Sequence, residues 1–201
     1  MTTPTITSTC TPIDFPGRDK LIASIESAVA LDDERAVTAA LRSALCNAIR
    51  DPAVQLPACV HEPIADHYAR RELYRSPHLG FSVVAMTWGP LQGTPLHDHN
   101  GLWCVEGVWD GELDITQYEL LERDGERWRF RAGGGIQAGP GSAGSLIPPH
   151  EYHTIRNPNP NAIAITLHIY QGPMDFCTKF HPLDGEWYAR EGSALRTDAA
   201  A

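Results

Sequence analysis

The residues best able to do chemistry in this 201-residue chain lie in the stretch TPLHDHNGLWCVEG, from Thr94 to Gly107. His97 and His99 flank Asp98, and Cys104 follows soon after. On a strand, residues two apart share a face, so both imidazoles project one way and Asp98 the other. Two imidazoles on one strand face make a clip for a divalent metal. Spacing alone leaves a solvated or core-satisfied histidine pair as an equal reading. A third ligand has to come from elsewhere, and PPHEYHTIRN offers His150 and His153. His150 follows two prolines, which suits a loop. His153 opens an apolar-alternating strand that can aim it inward, and is preferred. In AIAITLHIY, Ile163, Ile165, Leu167 and Ile169 share one face, and Thr166, His168 and Tyr170 share the other. Such a polar row either faces solvent or, if buried, needs hydrogen-bond partners.

The elements that must position these groups divide the chain in two. RDKLIASIESAVA places Leu21, Ile22, Ile25 and Val29 on one helical stripe. Asp32 is a cap for a second helix bearing Val37, Leu41, Ala44, Leu45 and Ala48, which Pro52 ends. A third helix is expected over about 62–73. From Phe81 onward, short apolar runs alternate with turn signals: Asp110-Gly111, Asp124-Gly125, Gly133-Gly134-Gly135 and Asn157-Pro158-Asn159-Pro160. Helices followed by many short strands predict a mostly β protein, a small antiparallel barrel with an N-terminal helical segment. The expected organisation is a loose tail over 1–16, one domain over 17–190 and a C-terminal tail over 191–201. In that domain the helices take about 17–73 and the barrel about 80–182.

Composition narrows the function class. The net charge is -9 and no basic run stands out, which makes nucleic acid and anionic membrane poor partners. No window has the length and apolarity of a membrane span, and the first residues do not read as a signal peptide. Five cysteines, at 10, 46, 59, 104 and 177, are an odd count without close pairing, which favours reduced thiols and a cytoplasmic setting. A monomer or weak homo-oligomer is expected.

Taken together, the stretch from Tyr68 to about Phe180 resembles the cysteine dioxygenase type I family, thiol dioxygenases of the cupin superfamily. The first cupin motif has a glutamate soon after its His-x-His pair. Cys104 stands at that place here, and Gly111 stands at the motif's closing glycine. This replacement resembles the animal-type enzymes; several bacterial relatives carry glycine there. His153 and Asn157 fit the second motif, with His150 where a glycine is usual. His168 and Tyr170 match the family's outer histidine and active-site tyrosine. Thr166 stands where serine is common, and Cys177 matches a further cysteine near the pocket. Tyr68 and Arg70 in YAR match the motif whose arginine binds the substrate carboxylate. The following segment is one residue longer than usual, which leaves Arg71 as an alternative anchor.

The resemblance implies a jelly-roll-like cupin barrel and one Fe(2+) held by His97, His99 and His153. It implies a small thiol and dioxygen as partners, with L-cysteine oxidised to cysteine sulfinic acid. Three neutral imidazoles leave the ion its full charge, which suits a thiolate ligand. It also implies a thioether between Cys104 and Tyr170. Strict alternation from His99 puts Cys104 on the opposite face, so Asn100-Gly101 must hold a bulge or turn that resets the parity. The close alternative substrate is 3-mercaptopropionate or another mercapto acid. More distant alternatives are a non-catalytic cupin and a Zn or Mn isomerase, which usually keeps the motif glutamate.

Overall fold

The computed structural model describes residues 13–199. Cys10 and most of the expected N-terminal tail lie outside these residues. Residues 13–16 do not hang free: Phe15 is buried in the core and the carbonyl of Pro16 accepts from the Gln55 amide. Helix α1 spans Arg18–Val29 and α2 spans Glu34–Arg50. Their buried stripes, Leu21, Ile22, Ile25 and Ala28 on α1 and Val37, Leu41, Leu45 and Ala48 on α2, follow helical spacing. The cap of α2 is Asp33, one residue later than expected. Its carboxylate accepts from the Ala36 amide at 2.8 Å, filling one of the helix's otherwise unpaired N–H groups.

The third helix over 62–73 does not form. A short 3-10 turn spans Ala58–His61, and strand β1 (Ala69–Arg75) pairs antiparallel with β2 (Ser82–Trp88). ARRELYR has good helix formers, but the ladder with β2 wins over local propensity. The rest of the chain gives β3 (Leu96–His97), β4 (Cys104–Asp110), β5 (Leu113–Asp124), β6 (Arg127–Ala138), β7 (Ala143–Leu146), β8 (His153–Arg156), β9 (Ala164–Tyr170), β10 (Phe176–Pro182) and β11 (Trp187–Ala194). Gly133-Gly134-Gly135 is not a turn. It lies inside β6, where the register with β5 slips between Thr116 and Tyr118. Glycine suits such a bulge because it tolerates the irregular backbone. The expected C-terminal tail is also partly structured: β11 runs to Ala194, and Leu195 packs against the barrel core.

The strands form two sheets in an antiparallel, jelly-roll-like cupin architecture. One sheet has the order β1-β2-β9-β4-β7; the other, β10-β11-β6-β5-β8-β3, closes through pairing of β3 with β10. The central strands β2 and β9 are buried along their whole length. Their two faces belong to two cores. Val83, Ala85, Ile165, Leu167 and Ile169 pack with the helices, whereas Val84, Met86, Trp88 and Tyr170 face the barrel interior. The helices therefore cover the outside of the first sheet, and Arg42 and Arg50 of α2 donate to the carbonyls of Ala143 and Gly141. With that face covered, the polar row of β9 points inward rather than to solvent. Gly111 lies at φ 73, and a Cβ there would meet the Cα of Ala164 at 2.8 Å, so only glycine lets the β4–β5 turn lie on β9.

Candidate metal centre and its cavity

His97 ends β3 and lies opposite His153 of β8. His99 follows on the loop. The three ligand atoms lie within 4.8 Å of one another, and the ring centroids are 4.6 to 5.3 Å apart. His150 is exposed on the preceding turn and does not join them. Asp98 points away, as alternation requires, and its carboxylate accepts from the amides of Thr178 and Asn100, which ties this strand to β10. Asn157 is a tether as well. Its buried amide donates to the carbonyls of Trp88, Gly89 and Ala162.

Protonation states favour ligation. Burial lowers His97 to about 4 and pushes His99 and His153 well below the usual histidine range. Neutral imidazoles with free lone pairs result. Nε2 of His97 and Nε2 of His153 face each other at 3.2 Å. The Nδ1 atom of His97 lies 3.1 Å from the Pro95 carbonyl, which puts its hydrogen there and the lone pair at Nε2. The two Nε2 atoms converge on one point, so a divalent metal placed there would meet a lone pair from each within a buried three-imidazole group.

The turn after His99 resets the strand parity. Asn100 has φ 54 and Gly101 φ 76, and the Leu102 amide donates to the His99 carbonyl at 3.0 Å. Two successive positive φ values in a hydrogen-bonded turn are the pattern Asn-Gly favours. Cys104 therefore faces the barrel interior, directly opposite Tyr170 of β9, and Glu106 lies opposite His168.

Behind the histidines runs a hydrogen-bonded row. The Trp88 indole N–H donates to the Thr166 hydroxyl at 2.9 Å, and that hydroxyl lies 2.8 Å from Nε2 of His168. An indole can only donate, so the Thr166 oxygen accepts from it and has its own hydrogen to give to His168 Nε2. With the hydroxyl donating in this way, the hydrogen of neutral His168, lowered by burial to about 3, sits on Nδ1. The Tyr170 oxygen lies 3.4 Å and the Cys104 sulfur 3.8 Å from that Nδ1. Burial pushes both Cys104 and Tyr170 well above their usual ranges.

Arg70, Tyr68, Cys177 and Lys179 line the same cavity as the histidines and Tyr170. Because β1 is a strand, Arg70 and Arg71 point to opposite faces. The Arg71 guanidinium donates to Thr87 Oγ1 and the Glu62 carbonyl, away from the cavity. The buried Arg70 guanidinium donates to the carbonyls of Met174 and Arg196, which fix it while leaving further N–H groups free.

A family model for cysteine dioxygenase type I matches residues 65–182, more than half of the chain and all of the histidines, Arg70, Cys104, Thr166 and Tyr170 described above. The chain belongs to the cysteine dioxygenase type I family. Its role is that of a metal-dependent cupin of dioxygenase type, and the three-histidine group is one of two clusters among the described residues whose donor atoms lie close enough together to hold a metal. Similar solved structures include a Thermus thermophilus protein, 17% identical with TM-score 0.44, covering 58% of this chain and 94% of its own. A Klebsiella pneumoniae protein with a double-stranded β-helix domain is 16% identical with TM-score 0.45, covering 62% and 88%. The Schizosaccharomyces pombe Cnp3 cupin domain is 9% identical with TM-score 0.40, covering 52% and 60%.

This cysteine dioxygenase family member holds site residues that the sequence reading passed over. Trp88 orders the Thr166–His168 row. Leu195 lines the cavity, and Asp198 accepts from the Arg70 amide. Glu106 is buried beside His168 and His153, with its carboxyl pushed up to about 8 by burial. Its signal was a lone acid in the otherwise apolar strand CVEGV, at the same parity as Cys104.

Proposed function

We propose that the protein is an Fe(2+)-dependent thiol dioxygenase that adds both atoms of dioxygen to a small thiol, converting L-cysteine to cysteine sulfinic acid. The observation that carries this reading is one cavity shared by the imidazoles of His97, His99 and His153, the guanidinium of Arg70 and the phenol of Tyr170. His97, His99 and His153 would hold the iron, which would supply thiolate activation and electron transfer to dioxygen. Arg70 holds the substrate carboxylate in a two-pronged pair, with Tyr68 beside it. Tyr170 presents its hydroxyl to the reacting atoms. His168, with its tautomer set by Thr166, orients that hydroxyl. The side chains closing the cavity exclude water and hold sulfur beside the oxidant.

A specific observation favours 3-mercaptopropionate or another mercapto acid as a second reading. No aspartate or glutamate lines the cavity among the described residues, whereas Arg70 and Lys179 both do. A substrate ammonium that does not go to the metal finds no carboxylate there. Oxygen uptake by iron-loaded protein across a panel of thiols tests both. Stoichiometric sulfinate from cysteine supports the first reading, and turnover confined to amine-free mercapto acids supports the second. No uptake with any thiol, together with tight zinc or manganese binding, sinks both in favour of a non-oxidative cupin.

A further inference from the structure

We propose that Glu106 is a positioning carboxylate for the histidine centre, taking an N–H from His153 on one oxygen and from His168 on the other. The proposal rests on the reading of His153 as a metal ligand. Glu106 is 6% exposed and makes no hydrogen bond within normal limits, and its Oε2 is a buried orphan. Oε2 lies 3.4 Å from Nδ1 of His168, and Oε1 lies 3.9 Å from Nδ1 of His153. Nδ1 of His153 is itself a buried orphan.

The tautomers decide what these contacts are. With a metal held at its Nε2, which faces His97, the hydrogen of neutral His153 sits on Nδ1. When the Thr166 hydroxyl, which accepts from Trp88, gives its own hydrogen to Nε2 of His168, the His168 hydrogen also sits on Nδ1. The His153 N–H then faces Glu106 Oε1, while the His168 Nδ1 hydrogen is shared between Glu106 Oε2 and the Tyr170 hydroxyl, each 3.4 Å away. A buried acid without such donors is costly, and a ligating histidine gains basicity and a fixed orientation when a carboxylate takes its other N–H. Register makes the arrangement rigid, since Glu106 and His168 are directly opposed on β4 and β9. The place of the cupin motif glutamate is held by Cys104. Glu106 restores a carboxyl two residues on, outside the three-histidine group, so it takes no coordination position; burial alone keeps its proton up to about 8, and the charge of a divalent metal held by His153 would draw that proton off and leave a carboxylate.

Cys104, Glu106 and His168 also have ligand atoms within 4.8 Å of one another, which raises a second metal as the rival use of Glu106. A His168 hydrogen on Nδ1 leaves that nitrogen no lone pair to give, and the number of metals bound per chain decides between the two uses.

The test uses the full chain and its Glu106→Gln and Glu106→Leu variants, with folding checked by thermal melts. Fe(2+) affinity by chelator competition should fall about 10–100-fold in both variants. The Fe(III)/Fe(II) potential should move positive in Glu106→Gln, which keeps shape and loses charge. In nitrogen-15 NMR of the metal-free chain, the Nδ1 signals of His153 and His168 should shift in Glu106→Gln. Unchanged affinity and potential in folded Glu106→Gln overturn the proposal, as do two metals per wild-type chain with one lost in that variant. A wild-type chain that binds no metal sinks the metal reading instead, and the NMR signals then decide the Glu106 contact, with unmoved signals overturning it. If Glu106→Leu fails to fold, Glu106→Gln decides alone.

Discussion

Cys104 of β4 stands directly opposite Tyr170 of β9, and their sulfur and phenol oxygen lie 3.8 and 3.4 Å from the same atom, Nδ1 of His168. Directly opposed strand residues have Cβ atoms about 4.5–5.5 Å apart, within reach of a bond between cysteine sulfur and a ring carbon. The thioether is expected to form during turnover. Sulfur and ring carbon each lose a hydrogen, and dioxygen takes the two electrons. The link would hold the phenol in one orientation and acidify it. Peptide mass analysis after turnover should find the Cys104 and Tyr170 peptides joined and lighter than their sum by two hydrogens. Separate peptides in a fully active preparation would leave Cys104 as packing alone.

Metal retention should follow the three-histidine geometry. His97→Ala, His99→Ala and His153→Ala are each expected to lose most bound iron in elemental analysis, while His150→Ala keeps it. Cys104→Ala should also retain the metal, since a buried thiol pushed far above its usual range is a poor ligand beside three neutral imidazoles. Iron kept by His153→Ala and lost by His150→Ala would mean that the wrong third ligand has been assigned.

Arg70→Gln should raise the KM for cysteine, since losing one partner of a buried charge pair costs about 2–5 kcal/mol. Arg71→Gln removes donors to Thr87 and Glu62 outside the cavity, so it should lower the melting temperature with little change in KM. Steady-state kinetics and melts on both variants check this. If Arg70→Gln keeps wild-type kinetics, the anchor is elsewhere, with Lys179 next in line.

His67 clasps the C-terminal segment beside Arg70. Its Nε2 lies 3.1 Å from the Asp198 carboxylate and its Nδ1 2.7 Å from Asp66. Asp198 foremost, then Asp66, raise the His67 pKa above its ordinary value of 6.5. A raised folded-state value stabilises the clasp fully below the unfolded value and loses that contribution as pH rises through the folded one. The protection factor against amide exchange at Leu195–Asp198, with the intrinsic pH dependence divided out, should therefore be highest below about pH 6.5 and fall above the raised value. His67→Gln should flatten this dependence. An NMR titration placing His67 at or below 6.5 would remove the basis for it.

Much of the centre was legible in the sequence, because strand alternation is local physics. His-x-His sharing a face, the two-sided pattern of AIAITLHIY and the inward aim of His153 need only the period of two. The resemblance placed Arg70, Thr166, His168 and Tyr170 in one frame for the same reason. Local rules failed where two segments competed. ARRELYR reads as helix until β2 offers a ladder, and that strand is what separates Arg70 from Arg71. Gly133-Gly134-Gly135 reads as a turn until pairing with β5 makes it a bulge. Only tertiary structure decided that both faces of β9 are buried, because helices and barrel interior cover them from opposite sides. It alone brought Glu106, a lone acid in an apolar strand, against His153 and His168, since the contact joins strands distant in sequence through a register that no local pattern encodes.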